Sequence, residues 1–356
     1  MIYGTEKSST SNIVLSTPLD PLTTGFKVTG YAGGNEFGIS VSTGDINKDG
    51  YADIIVGAEK QVQGAAYVIY GGEKSSMSNI DLSATTLDPL TTGFMISGNA
   101  AGDFFGFSVR IAGDIDKDGY NDIVIGAHMK NSNQGAAYVI YGGQKSSMSN
   151  IVLSTQTLDP LTTGFMIIGS SANVQLGFSV STAGDINKDG YDDIIIGAPG
   201  KTSNQGAAYV IYGREKSSMS NIDLSTTTLD PLTTGFMITG NAAGDYFGYS
   251  VNTAGDINND GYSDIIVGAY NKDSKGAAYV IYGRENSSMS NIDLSTTTLD
   301  PLATGFLITG NATSDCFGWS VSTAGDLNSD GVSEIIVGAR CKASSKGAAY
   351  VIYGET

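Results

Sequence analysis

Basic side chains are scarce in this sequence: its 356 residues include 19 basic and 36 acidic ones, which gives a formal charge of −17. A nucleic-acid-binding protein needs a basic face to neutralise phosphates, so that class is excluded. No stretch approaches the roughly eighteen consecutive apolar residues of a membrane helix, so no membrane span is predicted. The first residues lack the basic and then apolar order of a secretory leader. If the protein is exported, we expect its targeting segment to lie outside this sequence.

Histidine is rarer still, with His128 as the only one. No nucleophile elbow, Cys/His pair or zinc-ligand spacing accompanies it. Serine and aspartate are abundant, so composition alone leaves a Ser-His-Asp site open, but no pattern favours one. We therefore predict that the protein is not an enzyme. A hydrophobic content of 40% is sufficient for a folded, soluble protein.

One unit occurs five times along the chain. The motif Asp-Ile-Asn-Lys-Asp-Gly at 45–50 returns in similar form at Asp114, Asp185, Asp256 and Asp326, in steps of 69 to 71 residues. Each unit also ends with an identical Gly-Ala-Ala-Tyr-Val-Ile-Tyr-Gly run. Self-similarity at a fixed period is typical of repeat architectures. We predict one domain over residues 1–356, built from five repeats of about 70 residues.

The units are predicted to consist of strands, because their apolar runs are short, rich in Val, Ile, Tyr and Phe, and punctuated by Gly and Asp. In the second unit, strands A to D are predicted near 105–112, 122–127, 135–141 and 164–169. The run at 53–58 does not alternate, so both faces of that strand should be buried. Glycines and alanines such as Gly57 would let neighbouring sheets approach closely. Four-stranded sheets covered on both faces and repeated radially define an all-β fold, the β-propeller.

Chain order suggests how the ring closes. The last unit has strands A, B and C but no D, whereas residues 25–30 copy a D strand. We predict five four-stranded blades closed by donation of this N-terminal D strand to the last blade, which would protect its edge. Residues 1–4 copy the end of a C strand and would compete with 352–354. The alternative is therefore that the five units are part of a longer ring or array.

The loops between strands A and B carry oxygen-bearing side chains at positions 1, 3, 5 and 9, with glycine at position 6. Hard oxygen ligands at alternate positions, and a glycine that allows a sharp turn, meet the needs of a calcium ion with six to eight ligands. The backbone carbonyl at position 7 would add another ligand. The predicted ligands are Asp45, Asn47, Asp49, Tyr51 and Asp53; Asp114, Asp116, Asp118, Tyr120 and Asp122; Asp185, Asn187, Asp189, Tyr191 and Asp193; Asp256, Asn258, Asp260, Tyr262 and Asp264; and Asp326, Asn328, Asp330, Val332 and Glu334.

Other interpretations of these loops fit less well. An EF-hand would carry Glu at position 12 between helices, but position 12 is apolar here and strands flank the loop. An Asx-rich turn without metal is the alternative, although carboxylates so close together call for a cation. Magnesium favours a rigid octahedron that retains water. We predict up to five Ca²⁺ ions, with the last loop the weakest candidate because Glu334 replaces Asp.

The Phe105-Gly106 pair, the acidic loop and the Gly126-Ala127 pair together resemble the FG-GAP repeat, which occurs in integrin α-subunit propellers and in many secreted or surface proteins. The resemblance covers essentially the whole chain. It implies calcium in loops on the lower face and ligand recognition on the opposite face. Integrin propellers have seven blades, Leu176 replaces the Phe of the third unit, and only Pro199 completes a Gly-Ala-Pro. No integrin-type partner is carried over.

Differences between the units concentrate in the D-to-A and B-to-C loops, which leave the sheets opposite the acidic loops. Their distinctive residues are predicted to form an aromatic and basic recognition surface. Sequence drift in solvated loops is the alternative explanation for each of them. The candidates are Tyr31, Phe104, His128, Tyr246, Tyr270 and Arg340.

The two cysteines flank two strands of the last unit, since Cys316 precedes strand A and Cys341 follows strand B. Antiparallel pairing brings these ends together, which predicts a disulfide. A bridge would indicate an oxidising compartment. Two unpaired thiols are the alternative.

Together these features predict a calcium-binding propeller, extracellular or at the cell surface, that serves adhesion or ligand binding. Its partner would be an extracellular protein or a glycan. Two alternatives stay open. One is a structural repeat module that assembles with other copies or chains into a surface layer, filament or larger assembly. The other is a multivalent lectin with equivalent sugar sites between blades.

Overall fold

Each repeat folds into a small antiparallel sheet, and successive sheets pack face to face along the chain. The computed structural model describes residues 19–354. Its strands are β1 (Val28–Thr29), β2 (Phe37–Gly44), β3 (Asp53–Ala58), β4 (Ala65–Ile69), β5 (Ile80–Asp81), β6 (Gly93–Ser97), β7 (Ser108–Gly113), β8 (Asp122–Ala127), β9 (Ala136–Ile140), β10 (Ile151–Val152), β11 (Gly164–Ile168), β12 (Ser179–Gly184), β13 (Asp193–Ala198), β14 (Ala207–Ile211), β15 (Ile222–Asp223), β16 (Gly235–Thr239), β17 (Phe247–Gly255), β18 (Asp264–Ala269), β19 (Ala277–Ile281), β20 (Ile292–Asp293), β21 (Gly305–Thr309), β22 (Phe317–Gly325), β23 (Glu334–Ala339) and β24 (Ala348–Ile352).

Four units contain the predicted antiparallel A-B-C-D sheet. Its strands are β2-β3-β4-β6 in the first unit, β7-β8-β9-β11 in the second, β12-β13-β14-β16 in the third and β17-β18-β19-β21 in the fourth. In the first sheet Val56 lies opposite Tyr67, which in turn lies opposite Met95. The second and third strands are buried on both faces, as the non-alternating sequence predicts. The all-β propeller architecture is confirmed.

A short parallel strand, which the sequence analysis did not predict, ties each repeat to the preceding sheet. β10 pairs with β6, β15 with β11 and β20 with β16. An asparagine just before each short strand strengthens the junction: the Oδ1 atom of Asn150 accepts a hydrogen bond of 2.8 Å from the backbone N–H of Met95. The first three sheets therefore have five strands rather than four.

The hydrophobic core lies between neighbouring sheets. In one cluster, Ile55 and Val68 of the first sheet pack with Val109, Ile125 and Tyr138 of the second unit. The closest approach requires glycine, because a Cβ atom on Gly57 would lie 1.9 Å from the carbonyl oxygen of Gly106 in the next unit. The predicted close approach of the blades at this glycine is confirmed.

In the described part of the chain, residues 19–354, helical structure is confined to single turns in the loops. Within residues 19–354 no helix is long and apolar enough to cross a membrane. The four-residue turns α1 (Lys130–Asn133), α2 (Lys201–Asn204) and α3 (Lys342–Ser345) have positive φ at their central residues, and the 3-10 turns are Lys74–Ser76, Lys145–Ser147, Lys216–Ser218, Lys272–Ser274 and Asn286–Ser288.

The predicted closure of the ring by the N-terminal D strand is absent from the structure. β1 pairs parallel with β5, and the last sheet consists of β22, β23 and β24 within the described residues. The innermost strands β2, β7, β12, β17 and β22 each contact the next, but β22 makes no comparable contact with β2. Contacts such as Gly57 with Gly106 hold each blade close to the next, and within residues 19–354 no comparable contact joins the first and last blades. The predicted C-strand copy at 1–4 lies outside the described residues.

Candidate metal centres and an aromatic surface

The five acidic loops adopt one conformation, which the first loop illustrates. Asp45 at position 1 accepts hydrogen bonds from the backbone N–H groups of Asp49 (3.2 Å) and Gly50 (2.9 Å). Gly50 has a φ of +85°, in the left-handed region that favours glycine. The same bonds and the same glycine conformation recur in the other four loops. The repeat thus gathers acidic side chains in five equivalent turns.

The carboxylate at position 9 is buried in every loop. In the first loop, Asp53 accepts one bond from the backbone N–H of Ile46 (3.0 Å) and one from that of Gly71 (2.8 Å). Burial disfavours the charged form, and it raises the pKa of Asp53 to about 6 and the pKa of Asp264 to about 7. Backbone hydrogen bonds therefore do not fully compensate a charged carboxylate at this position.

The donor set of the loops fits an oxygen-seeking divalent cation. Asn47 Oδ1 and Glu334 Oε1 are buried and accept no hydrogen bond from the part of the chain that the structure describes. Carboxylates held close together repel one another, and Ca²⁺, with its six to eight oxygen ligands, would compensate them. Two triads offer carboxylate oxygens within 4.8 Å of one another: Asp114, Asp116 and Asp122, and Asp326, Asp330 and Glu334.

A lysine from the next repeat lies against each of the first two loops. The Nζ atom of Lys145 is 2.7 Å from a carboxylate oxygen of Asp49. The Nζ atom of Lys216 is 2.9 Å from Asp116 and 2.5 Å from Asp118. These ammonium groups compensate part of the negative charge of their loops.

Sequence reasoning did not identify these lysines, although a signal was present. Both open a Lys-Ser-Ser sequence that recurs after strand C, and the fourth unit has Asn286 at the same place. When the units are compared, lysine recurs at this position and asparagine replaces it once. Its contact with the preceding repeat's loop depends on how blades pack.

A continuous row of aromatic rings crosses four blades at the end opposite the acidic loops. Each ring stands two residues after the first residue of its unit's Phe-Gly or Leu-Gly pair. Neighbouring ring centroids are 5.0 Å apart for Phe107 and Phe178, 4.8 Å for Phe178 and Tyr249, and 4.7 Å for Tyr249 and Trp319. At one end the guanidinium of Arg340 lies 4.4 Å from the Trp319 ring centroid, which is a cation–π contact.

Most of the predicted recognition residues lie along this aromatic row. Tyr246 is 5.1 Å from Tyr270, and Tyr270 is 5.0 Å from Trp319, measured between ring centroids. Arg340 lies at the same end. Phe104 and His128 lie at the other end.

Tyr31 lies apart from the row. It is exposed and lines a separate cavity with Tyr67 and Met95. The four central rings were not predicted because they belong to the predicted first strands and lie outside the D-to-A and B-to-C loops, where the differences between units concentrate. Their position is aromatic in four units, and only Ile39 breaks the pattern.

His128 is the most enclosed member of the row, with 4% of its surface exposed. Its ring centroid is 4.5 Å from that of Phe107, 5.5 Å from Phe104 and 5.2 Å from Phe178. Burial lowers the pKa of His128 to about 4, so the imidazole is neutral at physiological pH. Among residues 19–354, no hydroxyl or carboxylate forms a hydrogen bond with its Nδ1 atom, as a catalytic triad would require.

The predicted disulfide is confirmed. Cys316 and Cys341 are bonded, with their Cα atoms 5.4 Å apart. The bridge joins the residue before β22 to the loop after β23, close to Trp319 and Arg340 in sequence. It therefore fixes one end of the aromatic row.

The fold and the loops define a class of protein: an all-β propeller of repeated blades with an acidic turn between the first two strands of each. The model of the FG-GAP repeat matches the chain at residues 37–69, 105–140, 176–211, 247–281 and 317–352. This chain belongs to the FG-GAP repeat family and resembles the integrin α propeller. The resemblance inferred from the sequence is confirmed.

Several integrin α-subunits are similar to this chain. Integrin alpha pat-2 of Caenorhabditis elegans is 32% identical over 248 residues, covering 65% of this chain and 18% of that protein. Integrin alpha-4 of Xenopus laevis is 27% identical, covering 68% of this chain and 20% of that protein. Integrin alpha-V of Gallus gallus is 28% identical, covering 67% and 20%. The chain thus spans about a fifth of the length of these curated relatives.

Proposed function

We propose that this chain is a calcium-binding propeller of an extracellular or cell-surface protein and that it serves adhesion or ligand binding. The observation that carries the proposal is the contrast between the two ends of the blades. One end repeats the same acidic turn five times, which suits a structural ion in each blade. The other end joins unlike residues into one surface, which suits a specific partner. The similarity to integrin α-subunits supports adhesion.

Each acidic loop would hold one Ca²⁺ through its side chains at positions 1, 3, 5 and 9 and the carbonyl at position 7. The ion would supply the positive charge that the buried position-9 carboxylate lacks. It would also join the first and second strands of a blade where the loop connects them. The protein residues already set the turn, through the bonds of the position-1 carboxylate and the left-handed glycine.

Calcium binding is tested on the whole chain after treatment with a chelator. Isothermal titration calorimetry should show uptake of up to five ions, and millimolar calcium should raise the melting temperature. Asp185→Asn in the third loop should remove one site. Asp273→Asn, in an exposed turn outside the acidic loops, is the matched control and should leave the number of sites unchanged. No uptake, together with an unchanged melt in excess chelator, would contradict the proposal.

The aromatic row would recognise an extracellular protein or a glycan. Tyr, Trp and Arg side chains in such clusters supply much of the binding energy of protein interfaces. Trp319 and Tyr270 are half-buried rings, and Arg340 is exposed beside them. His128 is enclosed by the aromatic rings at the other end of the row.

Arrays of matrix proteins and glycans, probed in calcium, test this surface. Arg340→Ala and Tyr270→Ala should weaken binding at least tenfold, because Tyr and Arg are among the side chains whose truncation costs most at protein interfaces. Tyr31→Ala removes an exposed tyrosine away from the row and should have no effect. Absence of binding on both arrays by the folded chain would contradict a recognition role.

A multivalent lectin is the second candidate, because similar cavities recur in successive units. Tyr70, Met77 and Leu87 line a cavity of about 240 Å³ in the first unit. Their counterparts Tyr141, Met148 and Leu158 line one of about 280 Å³ in the second. A lectin of this kind would bind several sugars with equal affinity, and Arg340→Ala would leave that binding intact.

A further inference from the structure

Neighbouring blades meet through one interface that recurs four times in the chain. In each of the first four units, a glycine near the end of the second strand packs closely against the following unit. It faces the carbonyl oxygen of the glycine in that unit's Phe-Gly or Leu-Gly pair. A Cβ atom on the first glycine would lie 1.9 to 2.1 Å from that oxygen at Gly57, Gly126, Gly197 and Gly268. Apolar residues around the contact, such as Val68 and Val109, are buried between the blades. Because so little space separates the glycine from this backbone oxygen, the next repeat can pack in only one way.

The two ends of the arc present the separated halves of this interface. On the last blade, Val351 and Tyr353 are 44% and 64% exposed, whereas their four counterparts are at most 1% and 9% exposed. On the first blade, Val41 is 56% exposed, whereas its four counterparts are at most 7% exposed. For Gly338, the fifth counterpart of Gly57, the nearest atoms to an added Cβ would belong to Ser320 of its own blade and not to a backbone oxygen of another unit.

The strands at the two ends are complementary as well. β24 is a C strand that pairs with β23 and, within residues 19–354, with no D strand. β1 has the sequence of a D strand and pairs parallel with β5, as the internal D strands pair with their short strands. No strand of residues 19–354 pairs antiparallel with β1. In the internal register Ala66 lies opposite Ile96, which would place Ala349 opposite Val28.

We propose that copies of this chain associate head to tail, with β1 of one copy completing the last blade of another. The open edge of β24 would gain the antiparallel partner that β4, β9, β14 and β19 already have. Val351 and Tyr353 of one copy would be covered by the first blade of the next, where Val41 is exposed. An exposed strand edge beside apolar side chains is a template for such pairing.

The proposed occupant is a second copy, because β1 is the matching strand and, within residues 19–354, the strands of the first and last blades make no contact comparable to those between neighbouring blades. The contact joins different surfaces, so each added copy leaves a new open end. Such heterologous contacts build a ring where the rotation closes and a helical array where it does not. The association uses neither the acidic loops nor the aromatic row, so it stands apart from the proposed function.

Sedimentation velocity of the full chain in millimolar calcium, from micromolar to near-millimolar protein, tests the association. The unmodified chain should form species larger than a dimer as concentration rises. Val351→Asp blocks one end and Val41→Asp blocks the other, so each variant alone should be monomeric. An equimolar mixture of the two should form a single 1:1 complex, because each variant keeps one intact end. Only a head-to-tail contact would restore association when the two monomeric variants are mixed.

Leu161→Asp is the matched control, since it places the same charge on an exposed leucine of an internal blade and should associate like the unmodified chain. A chain carrying both Val28→Cys and Ala349→Cys adds a test that does not depend on losing an interaction. On oxidation it should form covalent ladders between copies. A cross-link within one chain would overturn the proposal. So would an unmodified chain that stays monomeric throughout, a single-end variant that still associates, or a mixture that stays monomeric.

Discussion

Replacing the buried histidine should remove a large part of the protein's sensitivity to mild acid. His128 is packed among Phe104, Phe107 and Phe178, and within residues 19–354 its Nδ1 atom has no hydrogen-bond partner. His128→Phe puts a ring of similar size in that position without a titratable group. At neutral pH the variant should be as stable as the parent or more stable, because a buried polar atom without a partner is removed.

The magnitude follows from the difference in proton binding between the folded and unfolded chains. Burial lowers the pKa of His128 from its ordinary value of 6.5 to about 4 in the folded protein. Between these values the unfolded chain binds a proton that the folded chain excludes, so stability falls as pH falls. The neutral imidazole keeps its full contribution above pH 6.5 and loses it towards pH 4. An interval of about 2.5 pKa units corresponds to about 3 kcal/mol.

Urea unfolding of the parent and of His128→Phe between pH 4 and pH 7.5 measures the effect, with calcium held constant. Carboxylates titrate in both chains, so they cancel in the difference between the two free energies of unfolding. That difference should shift by about 3 kcal/mol in favour of the variant towards pH 4. Because the sequence has one histidine, its imidazole NMR signals can also be followed alone. A titration midpoint near 6.5, or a difference independent of pH, would refute the burial argument.

Three further outcomes are expected. Gly126→Ala should destabilise the chain by about 2 to 3 kcal/mol in urea unfolding, because the added Cβ would lie 2.0 Å from a backbone oxygen of the next blade. If it lowers the free energy of unfolding no more than Gly338→Ala does in the monomer, the packing argument is contradicted. Lys216→Asn should tighten calcium binding at the second loop in calorimetry, because it removes an ammonium group 2.5 Å from a loop carboxylate; unchanged affinity would show that the lysine does not compete. Converting Cys316 and Cys341 to serine should cost about 3 kcal/mol for a loop closed over 25 residues, and equal melting of the parent with and without reductant would argue against it.

The sequence was sufficient to predict the features that depend only on local backbone geometry, namely the acidic turns and the strands. The spacing of Asp45, Asn47, Asp49 and Asp53 around Gly50 is a property of one turn, and the five loops share the conformation that this spacing requires. The strands of the blades are likewise set by short apolar runs between turns. These features depend on neighbours within a few residues.

The features that escaped prediction depend on how blades pack against one another. The two-residue strand β10 is too short to show a period, and it forms because the preceding D strand offers a free edge. The aromatic row exists because the innermost strands of successive blades lie side by side. Ring closure also depends on packing between blades: within residues 19–354 the first and last blades lack a close approach like that of Gly57 to Gly106, and no residue pattern within one repeat determines this.

The position of the disulfide also follows from this packing. In the first four units the beginning of the third strand pairs with the start of the next unit, as in the bridge between Gly64 and Phe105, and the second strand packs against the next unit's glycine. The last unit has neither support within residues 19–354, and it is the unit that carries the Cys316–Cys341 bond. A covalent link between the ends of its first two strands holds these strands together, as packing against the following blade does in the other units. It keeps β22 and β23 paired while the outer edge of β24 stays open to receive a strand.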